Sequence, residues 1–146
     1  MTVARGIECR SSGASGDYQL VLTFPETVTA AGATVSAGTG SVSGFTVNGS
    51  EVQINLTGVA NAQTTAVALS GVSNGTATSD VVIPISILLG DTTGNGTVNA
   101  SDVGQVKSKS GQSVDATNFR QDVNTNGSIN ASDIGLVKSQ SGAALP

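Results

Sequence analysis

One stretch of sequence occurs twice near the carboxyl end of the chain. Residues 91–111 read DTTGNGTVNASDVGQVKSKSG, residues 122–142 read DVNTNGSINASDIGLVKSQSG, and 13 of the 21 aligned residues are identical. Each copy joins a run rich in Asp, Asn, Thr and Gly to a segment whose apolar residues follow helical spacing. The repeat therefore predicts two copies of one loop-and-helix unit.

Oxygen-bearing groups fall at positions 1, 3, 5, 7 and 12 of each copy, and Gly96 and Gly127 fall at position 6. A twelve-residue loop surrounds calcium in this way, because the Gly permits a sharp bend and the other positions supply hard oxygen donors. Ordinary surface turns would explain the composition, but not the matched positions. We predict two calcium ions. The expected ligands are Asp91, Thr93, Asn95, the Thr97 carbonyl and Asp102 in the first loop, and Asp122, Asn124, Asn126, the Ser128 carbonyl and Asp133 in the second.

Three further predictions concern residues in and around the loops. Val98 and Ile129, at position 8, are expected to pair as a short strand contact between the loops. Asn99 and Asn130, at position 9, leave open whether they hold the ion through water. Phe119, in a predicted short helix before the second loop, is expected to form an apolar wedge between the copies. Because each loop has only two carboxylates, we expect weak sites, with Kd of roughly 10⁻⁴–10⁻³ M.

Each loop is followed by a predicted helix. Asp102 and Asp133 stand at the helix starts, where a carboxylate interacts favourably with the helix dipole. Val106 and Val137 are expected on an apolar side of each helix. Gly111 and Gly142 follow the two predicted helices and are typical helix terminators.

The first 89 residues have the alternating apolar pattern of β-strands, with turn residues at short intervals. Strands are predicted at 4–10, 18–24, 33–36, 43–47, 52–56, 65–69 and 81–88. About seven short strands in 90 residues favour a small immunoglobulin-like sandwich. The predicted fold class is thus a mainly β sandwich domain, residues 1–89, followed by a small α domain of two calcium loop-helix repeats, residues 90–146.

The clearest predicted hairpin is FTVNGSEVQI, residues 45–54. Asn48 and Gly49 suit the positive φ angles of a two-residue turn. That turn would place Phe45 opposite Val52 and put Ser43 on the same face as both.

Charge and composition exclude several classes of function. The net charge is −4, and no Lys or Arg occurs between Arg10 and Lys107, so we expect no nucleic-acid partner. The longest apolar run, VVIPISILLG from Val81, is too short to span a bilayer. The few aromatic residues of the first half, Tyr18, Phe24 and Phe45, are predicted to point inward, so we expect no carbohydrate binding there.

Catalysis is not expected. The chain has no His, and Cys9 is its only cysteine, so no acid–base or nucleophile–base pair can be assembled. We interpret Cys9 as a buried small apolar residue.

The repeated segment resembles the type I dockerin, a tandem of two calcium loop-helix units without the leading helix of an EF-hand. The resemblance covers residues 90–142 and rests on GDTTGNGTVNASDVGQVK and NFRQDVNTNGSINASDIGLVK, with Asp at position 12. It implies binding to a cohesin domain through loop positions 10 and 11 and the following helix. Those positions are Ala100, Ser101, Lys107 and Ser108 in the first copy, and Ala131, Ser132, Lys138 and Ser139 in the second. Thr93 and the KSKSG and KSQSG helix ends depart from the family pattern.

Two functions therefore remain open. One is a non-catalytic extracellular or cell-surface module that docks onto a cohesin-like partner in the presence of calcium. The other is a structural subunit of a cell-surface array or extracellular filament, in which calcium rigidifies the joint and subunits pair through strand edges. In the second case residues 1–16 are a candidate strand for donation to another copy.

Overall fold

The computed structural model describes residues 5–146, in which seven strands precede two helices. No helix in this part of the chain is both long and apolar enough to cross a membrane. The strands are β1 Gly6–Glu8, β2 Tyr18–Thr23, β3 Gly32–Ala37, β4 Ser41–Asn48, β5 Glu51–Thr57, β6 Gln63–Ser73 and β7 Thr78–Ile87. All seven predicted strands are found, and Ala4, at the start of the first prediction, lies outside the described residues.

The strands form two sheets, with the orders β1-β7-β6-β3 and β2-β5-β4. One face of each sheet is buried: Val52, Ile54 and Leu56 alternate inward along β5, while Val67 and Leu69 do so along β6. A mainly β fold of two sheets confirms the predicted class. The orders β2-β5-β4 and β7-β6-β3 are those of strands B-E-D and G-F-C in a constant-type immunoglobulin domain, and only the first strand differs, because β1 lies beside β7 rather than beside β2.

The β4–β5 hairpin forms, but its predicted register is wrong. Phe45 lies opposite Ile54 rather than Val52, and Asn48 pairs with Glu51. The turn is centred on Gly49 and Ser50, with Gly49 at φ +62°, as in turns that require Gly at the first central position. Phe45, Val52 and Ile54 still share a face, because the register moved by an even number of residues. Ser43 does not, because a β-bulge follows Val42.

The second half contains α1 Ala100–Lys109, a single 3₁₀ turn at Phe119–Gln121 and α2 Ala131–Ser139. The two helices therefore follow the two loops as predicted, and the short helix before the second loop is reduced to the 3₁₀ turn. Gly111 at φ +86° and Gly142 at φ +94° follow the helix ends, as expected of helix terminators. The apolar core beneath the helices consists of Leu88, Val98, Val106, Val123, Ile129 and Val137.

The chain divides into two compact units that are not contiguous in sequence. Among the described residues, one unit contains residues 5–6, 13–60 and 64–85, and the other contains Ile7–Ser12, Asn61–Gln63 and Ser86–Pro146. The division into folding domains at 1–89 and 90–146 stays a prediction. Within the second unit, residues 86–146 are joined by two short segments from far earlier in the chain.

Candidate metal centre

Each helix of the repeat begins with the same reciprocal pair of hydrogen bonds. The Asn99 side chain accepts the backbone N–H of Ser101 at 2.8 Å, and the Asp102 carboxylate accepts the N–H of Asn99 at 2.8 Å. Asn130 and Asp133 do the same in the second copy, at 2.8 and 2.9 Å. Such a capping box satisfies backbone donors that a helix start leaves free. The position-9 Asn residues are therefore helix caps.

The carboxylate of Asp91 is fully buried at the centre of the first loop. One of its oxygens accepts the backbone N–H groups of Gly94 and Asn95, at 2.8 and 3.1 Å, and the other accepts that of Gly96 at 2.8 Å. The backbone of positions 4 to 6 is thus wrapped around the position-1 side chain.

Thr93 joins Asp91 to the equally buried Asp102. Its hydroxyl oxygen lies 3.1 Å from Asp91 Oδ1 and 3.0 Å from Asp102 Oδ1. A hydroxyl has one proton, so it can donate to only one of these two carboxylates. The hydroxyl oxygen therefore lies close to the second carboxylate oxygen with no proton between them. A cation bound to both oxygens would stabilise that approach.

The second loop repeats the backbone pattern of the first. Asp122 accepts the N–H groups of Asn126 and Gly127 at 3.1 and 2.9 Å, and Asp133 accepts that of Asn124 at 3.1 Å. At position 3, however, the Asn124 side chain donates to the Ser132 hydroxyl at 2.7 Å. The position-3 side chain of this loop is thus tied to the start of α2.

Both loops need left-handed backbone at positions 4 and 6. Position 6 is occupied by Gly96 at φ +86° and Gly127 at φ +85°, which agrees with the bend predicted there. Position 4 is Gly94 at φ +74° in the first loop but Thr125 at φ +56° in the second. A β-branched residue is strained in this region, so the second loop holds strain that the first does not.

The donor set fits a hard cation such as calcium. Within residues 5–146 no three His, Cys, Asp or Glu side chains come together as a metal site. Each loop would therefore complete the shell around its two carboxylates with hydroxyl, amide and carbonyl oxygens and water, which are ligands that calcium accepts. None of these four carboxylates forms an ion pair within the described part of the chain. A cation would offset the unfavourable burial of their charge.

The loops do not pair with each other at position 8, so the predicted contact between Val98 and Ile129 is wrong. Each loop pairs instead with the segment that follows the helix of the other copy. Gly142 N–H donates to the Val98 carbonyl at 2.9 Å, and Gly111 N–H donates to the Ile129 carbonyl at 2.8 Å. The two position-8 side chains are buried in the common core. This exchange explains why the copies fold as one unit.

Arg120 is the functional-site residue that the sequence interpretation missed. Its guanidinium donates to the backbone carbonyls of Asp91 at 3.0 Å, Thr92 at 3.2 Å and Ile7 at 3.0 Å. Arg120 precedes the second loop in the chain, and its hydrogen bonds fix the first two residues of the first loop. Arg120 lies in the segment NFRQDVNT that carries the family resemblance, but nothing in the sequence indicates partners 28 to 113 residues away.

Phe119 is not the predicted wedge between the copies. The residue is 39% exposed, and the Arg10 guanidinium lies 4.9 Å from the ring centroid, a cation–π geometry. Cys9 is fully buried, as predicted. Burial raises the pKa of its thiol to about 12, so the thiol is neutral at physiological pH.

The eight positions suggested for partner binding are all exposed. They lie at equivalent places on α1 and α2. The hydroxyls of Ser108 and Ser139 donate to backbone carbonyls three residues earlier, at 2.7 and 2.6 Å. Ala100, Ser101, Lys107, Ala131, Ser132 and Lys138 complete the two sets.

Residues 89–140 match the family model of the dockerin type I domain, which confirms the resemblance over about a third of the chain. This family consists of calcium-binding, non-catalytic modules for protein–protein docking, typically found in secreted proteins. No curated protein and no solved structure matches the chain significantly.

Proposed function

We propose that residues 90–142 bind two calcium ions, one in each loop, and that the ordered unit docks onto a cohesin-like domain outside the cell. The observation that carries the proposal is the meeting of Asp91, Thr93 and Asp102 oxygens in the buried first loop. Calcium would supply the positive charge that this cluster lacks. The predicted ligand sets of both loops are part of the proposal.

Asp102 links the ion to the docking surface through its two oxygens. One oxygen faces the Thr93 hydroxyl in the loop, and the other accepts the N–H of Asn99 at the start of α1. Ala100 and Ser101, two suggested contact positions, stand between Asn99 and Asp102. An ion that fixes Asp102 therefore fixes the first turn of the helix and the contact residues on it.

The proposed docking surface consists of the eight exposed positions on α1 and α2. Lys107 and Lys138 are the charged members of the two sets, so a partner with complementary acidic groups would be favoured. Four cationic residues, Lys107, Lys109, Arg120 and Lys138, stand against five Asp in residues 91–146. Two bound ions would change the net charge of this part from −1 to +3, which favours the same kind of partner.

The extracellular location rests on the expected weakness of the sites. With two carboxylates per loop, Kd should be roughly 10⁻⁴–10⁻³ M, the range typical of extracellular calcium modules. Such loops would be empty at cytosolic calcium and filled outside cells. Calcium would thus act as a constant structural component after secretion.

Calcium titration of the full chain, followed by addition of cohesin domains, tests the proposal. We expect far-UV circular dichroism to show a gain of helix with calcium, and a cohesin to bind only in its presence. Asp17→Asn is the control variant, since Asp17 is exposed, accepts a hydrogen bond from the Thr57 hydroxyl at 2.6 Å and belongs to the other compact unit. Calcium-saturated protein that ignores every cohesin tested would count against docking, and an unchanged spectrum would count against calcium binding.

A structural subunit is the second candidate function. The observation that favours it is Val21, 50% exposed on β2, an edge strand of the three-stranded sheet. Few charged residues protect such edges, so pairing between copies is the corresponding mechanism. Light scattering in calcium tests it: particles that grow with protein concentration would support assembly, and a monomer at high concentration would exclude it.

A further inference from the structure

The segment Ile7–Ser12 belongs to the same compact unit as the repeat, although some 80 residues separate them in sequence. We call it the N-terminal segment. Its backbone is hydrogen-bonded to the entry of the first loop: Leu88 N–H donates to the Glu8 carbonyl at 3.0 Å, and Gly90 N–H donates to the Cys9 carbonyl at 2.9 Å. The residues immediately before Asp91 are thereby fixed on the N-terminal segment.

Arg120 adds a second connection between the N-terminal segment and the first loop. One guanidinium nitrogen donates to the Ile7 carbonyl, while the other two donate to Asp91 and Thr92. The group is planar and permanently charged, so all three bonds have fixed relative geometry. Movement of the first loop would therefore disturb the bond to Ile7.

The far end of the N-terminal segment is attached to the second loop. Ser11 N–H donates to the carbonyl of Val123 at 2.6 Å. The Thr125 hydroxyl oxygen lies 3.3 Å from the Ser11 carbonyl and 2.8 Å from the Asn124 carbonyl, and its one proton can be donated to either. Val123 and Thr125 are positions 2 and 4 of that loop. One six-residue segment is thus bonded to the residues that precede the first candidate calcium loop and to the backbone of the second, and Arg120 connects it to the first loop itself.

The middle of the N-terminal segment is buried in the unit. The Cys9 side chain is fully buried and its Sγ lies 3.5 Å from the Arg120 carbonyl. Ile7 packs against the apolar core of the repeat. Cys9 cannot meet a reagent in solution unless the segment leaves its place.

We infer that the N-terminal segment is a third structural part of the calcium unit, and that it is held in place only while the loops contain calcium. The ion fixes the loop carbonyls that Arg120 and Ser11 bind; without it those partners lose their positions and the segment is released. Arg120 is the positioning residue for this coupling. The inference rests on the proposed calcium binding, and it adds that calcium controls a segment outside the repeat.

The expected size of the coupling follows from linkage. If release requires a calcium-free loop, a calcium concentration of 100 Kd lowers the released population about 100-fold for each coupled site. Labelling of the single thiol measures this population, since Cys9 is the only cysteine of the chain and is buried when the segment is bound. We therefore expect maleimide labelling of the full chain at neutral pH to be about 100-fold slower, or more, in saturating calcium than in chelator.

Arg120→Gln tests the route of the coupling. Gln at this position lacks both the positive charge and the three guanidinium donors. Arg120→Lys keeps the charge but lacks the planar set of donors. Both should still gain helix in calcium, but calcium should slow their labelling less than tenfold. Lys109→Gln is the matched control, since it removes a cation from the end of α1 and should keep the wild-type ratio.

The outcomes separate this inference from the proposed function. Calcium-induced helix with equal labelling rates in calcium and chelator would overturn the inference and leave calcium binding intact. No change in either measurement would contradict calcium binding itself. If Arg120→Gln fails to gain helix, the comparison is made with Arg120→Lys, and a wild-type labelling ratio there would overturn the role given to Arg120.

Discussion

Asp102 and Asn99 form the capping box of α1: the Asp102 carboxylate accepts the backbone N–H of Asn99 at 2.8 Å, and the Asn99 side chain caps the first turn of the helix. The other oxygen of the same carboxylate lies in the candidate calcium loop, 3.0 Å from the Thr93 hydroxyl. A single side chain is therefore shared between the proposed ion and the helix. The two roles can be separated by substitution.

Asp102→Asn should remove the charge at loop position 12 and retain an oxygen for the cap. We expect calcium affinity of the first loop to fall at least tenfold, because one of only two carboxylates is lost. The second loop should change much less, and Asp133→Asn should give the converse pattern. Isothermal calorimetry on the full chain, with Asp17→Asn as control, measures both; equal affinities in the variant and the control would contradict the ligand assignment.

Asn99→Ala should affect the helix rather than the ion. Loss of an N-cap side chain costs about 1 kcal/mol, so the free energy of unfolding in saturating calcium should fall by that amount. Urea denaturation followed by circular dichroism is the measurement. A loss of calcium affinity as large as that of Asp102→Asn would instead show that Asn99 is a ligand.

Thr125→Gly should stabilise the second unit by about 0.5–1 kcal/mol, because Thr at φ +56° is strained and Gly is not. We expect this relief to outweigh the loss of the long 3.3 Å contact between the Thr125 hydroxyl and the Ser11 carbonyl. Gly94→Thr is the matched change at the same position of the first loop and should be destabilising by a similar amount. A Cβ there would meet only Arg120 Nη2, in ordinary contact at 3.8 Å, so the Cβ itself fits and the left-handed backbone is the main expected cost. Thermal unfolding in calcium compares the two; a destabilised Thr125→Gly protein would contradict the strain.

Removal of residues 143–146 should weaken the first loop selectively. Val98 N–H donates to the Ala143 carbonyl at 2.8 Å, and Leu145 N–H donates to the Gly96 carbonyl at 3.0 Å. The corresponding partners of the second loop, around Gly111, remain in place. We expect calcium affinity of the first loop to fall several-fold with little change in the second, as resolved by loop-specific NMR signals; equal losses in both loops would contradict the exchanged pairing.

Stability should fall at alkaline pH because of Cys9. Its pKa is raised by burial from 9.0 to about 12, so the native state retains a proton that the unfolded chain releases above pH 9. The stabilisation is therefore complete below the unfolded pKa and is lost as pH rises towards 12. Between pH 8 and pH 10.5 we expect a loss of about 2 kcal/mol that Cys9→Ala does not show. Urea denaturation of both proteins at both pH values is the check, and equal losses would place Cys9 outside the core.

The sequence was most informative where contacts are local. Position 6 of both loops, the helix starts at Asp102 and Asp133, and the alternation along β2 and β5 depend on neighbouring residues, and the structure contains the corresponding bends, helices and strands. The Asn48–Gly49 turn was misplaced by one residue, because both Asn-Gly and Gly-Ser are good turn pairs and the bulge after Val42 gives no signal.

The remaining features depend on distant partners. Arg120 binds carbonyl oxygens, which every residue has, so neither its own identity nor that of Ile7 predicts the contact. The exchanged pairing of Val98 with Gly142 could not be distinguished from direct pairing of Val98 with Ile129, since both bury the same apolar side chains. Phe119 was expected in the core on hydrophobicity alone, but Arg10 covers its face from the N-terminal segment.

The most direct test of the calcium account is an NMR titration that follows the amide signals of Gly96 and Gly127, each of which donates to the position-1 carboxylate of its loop at 2.8 and 2.9 Å. We predict that both signals change with calcium, that two ions bind per chain, and that signals of α1 and α2 become dispersed over the same range. Magnesium, which requires stricter octahedral geometry, should not substitute. Dispersed helix signals in chelator, with both glycine amides unmoved by millimolar calcium, would contradict the account.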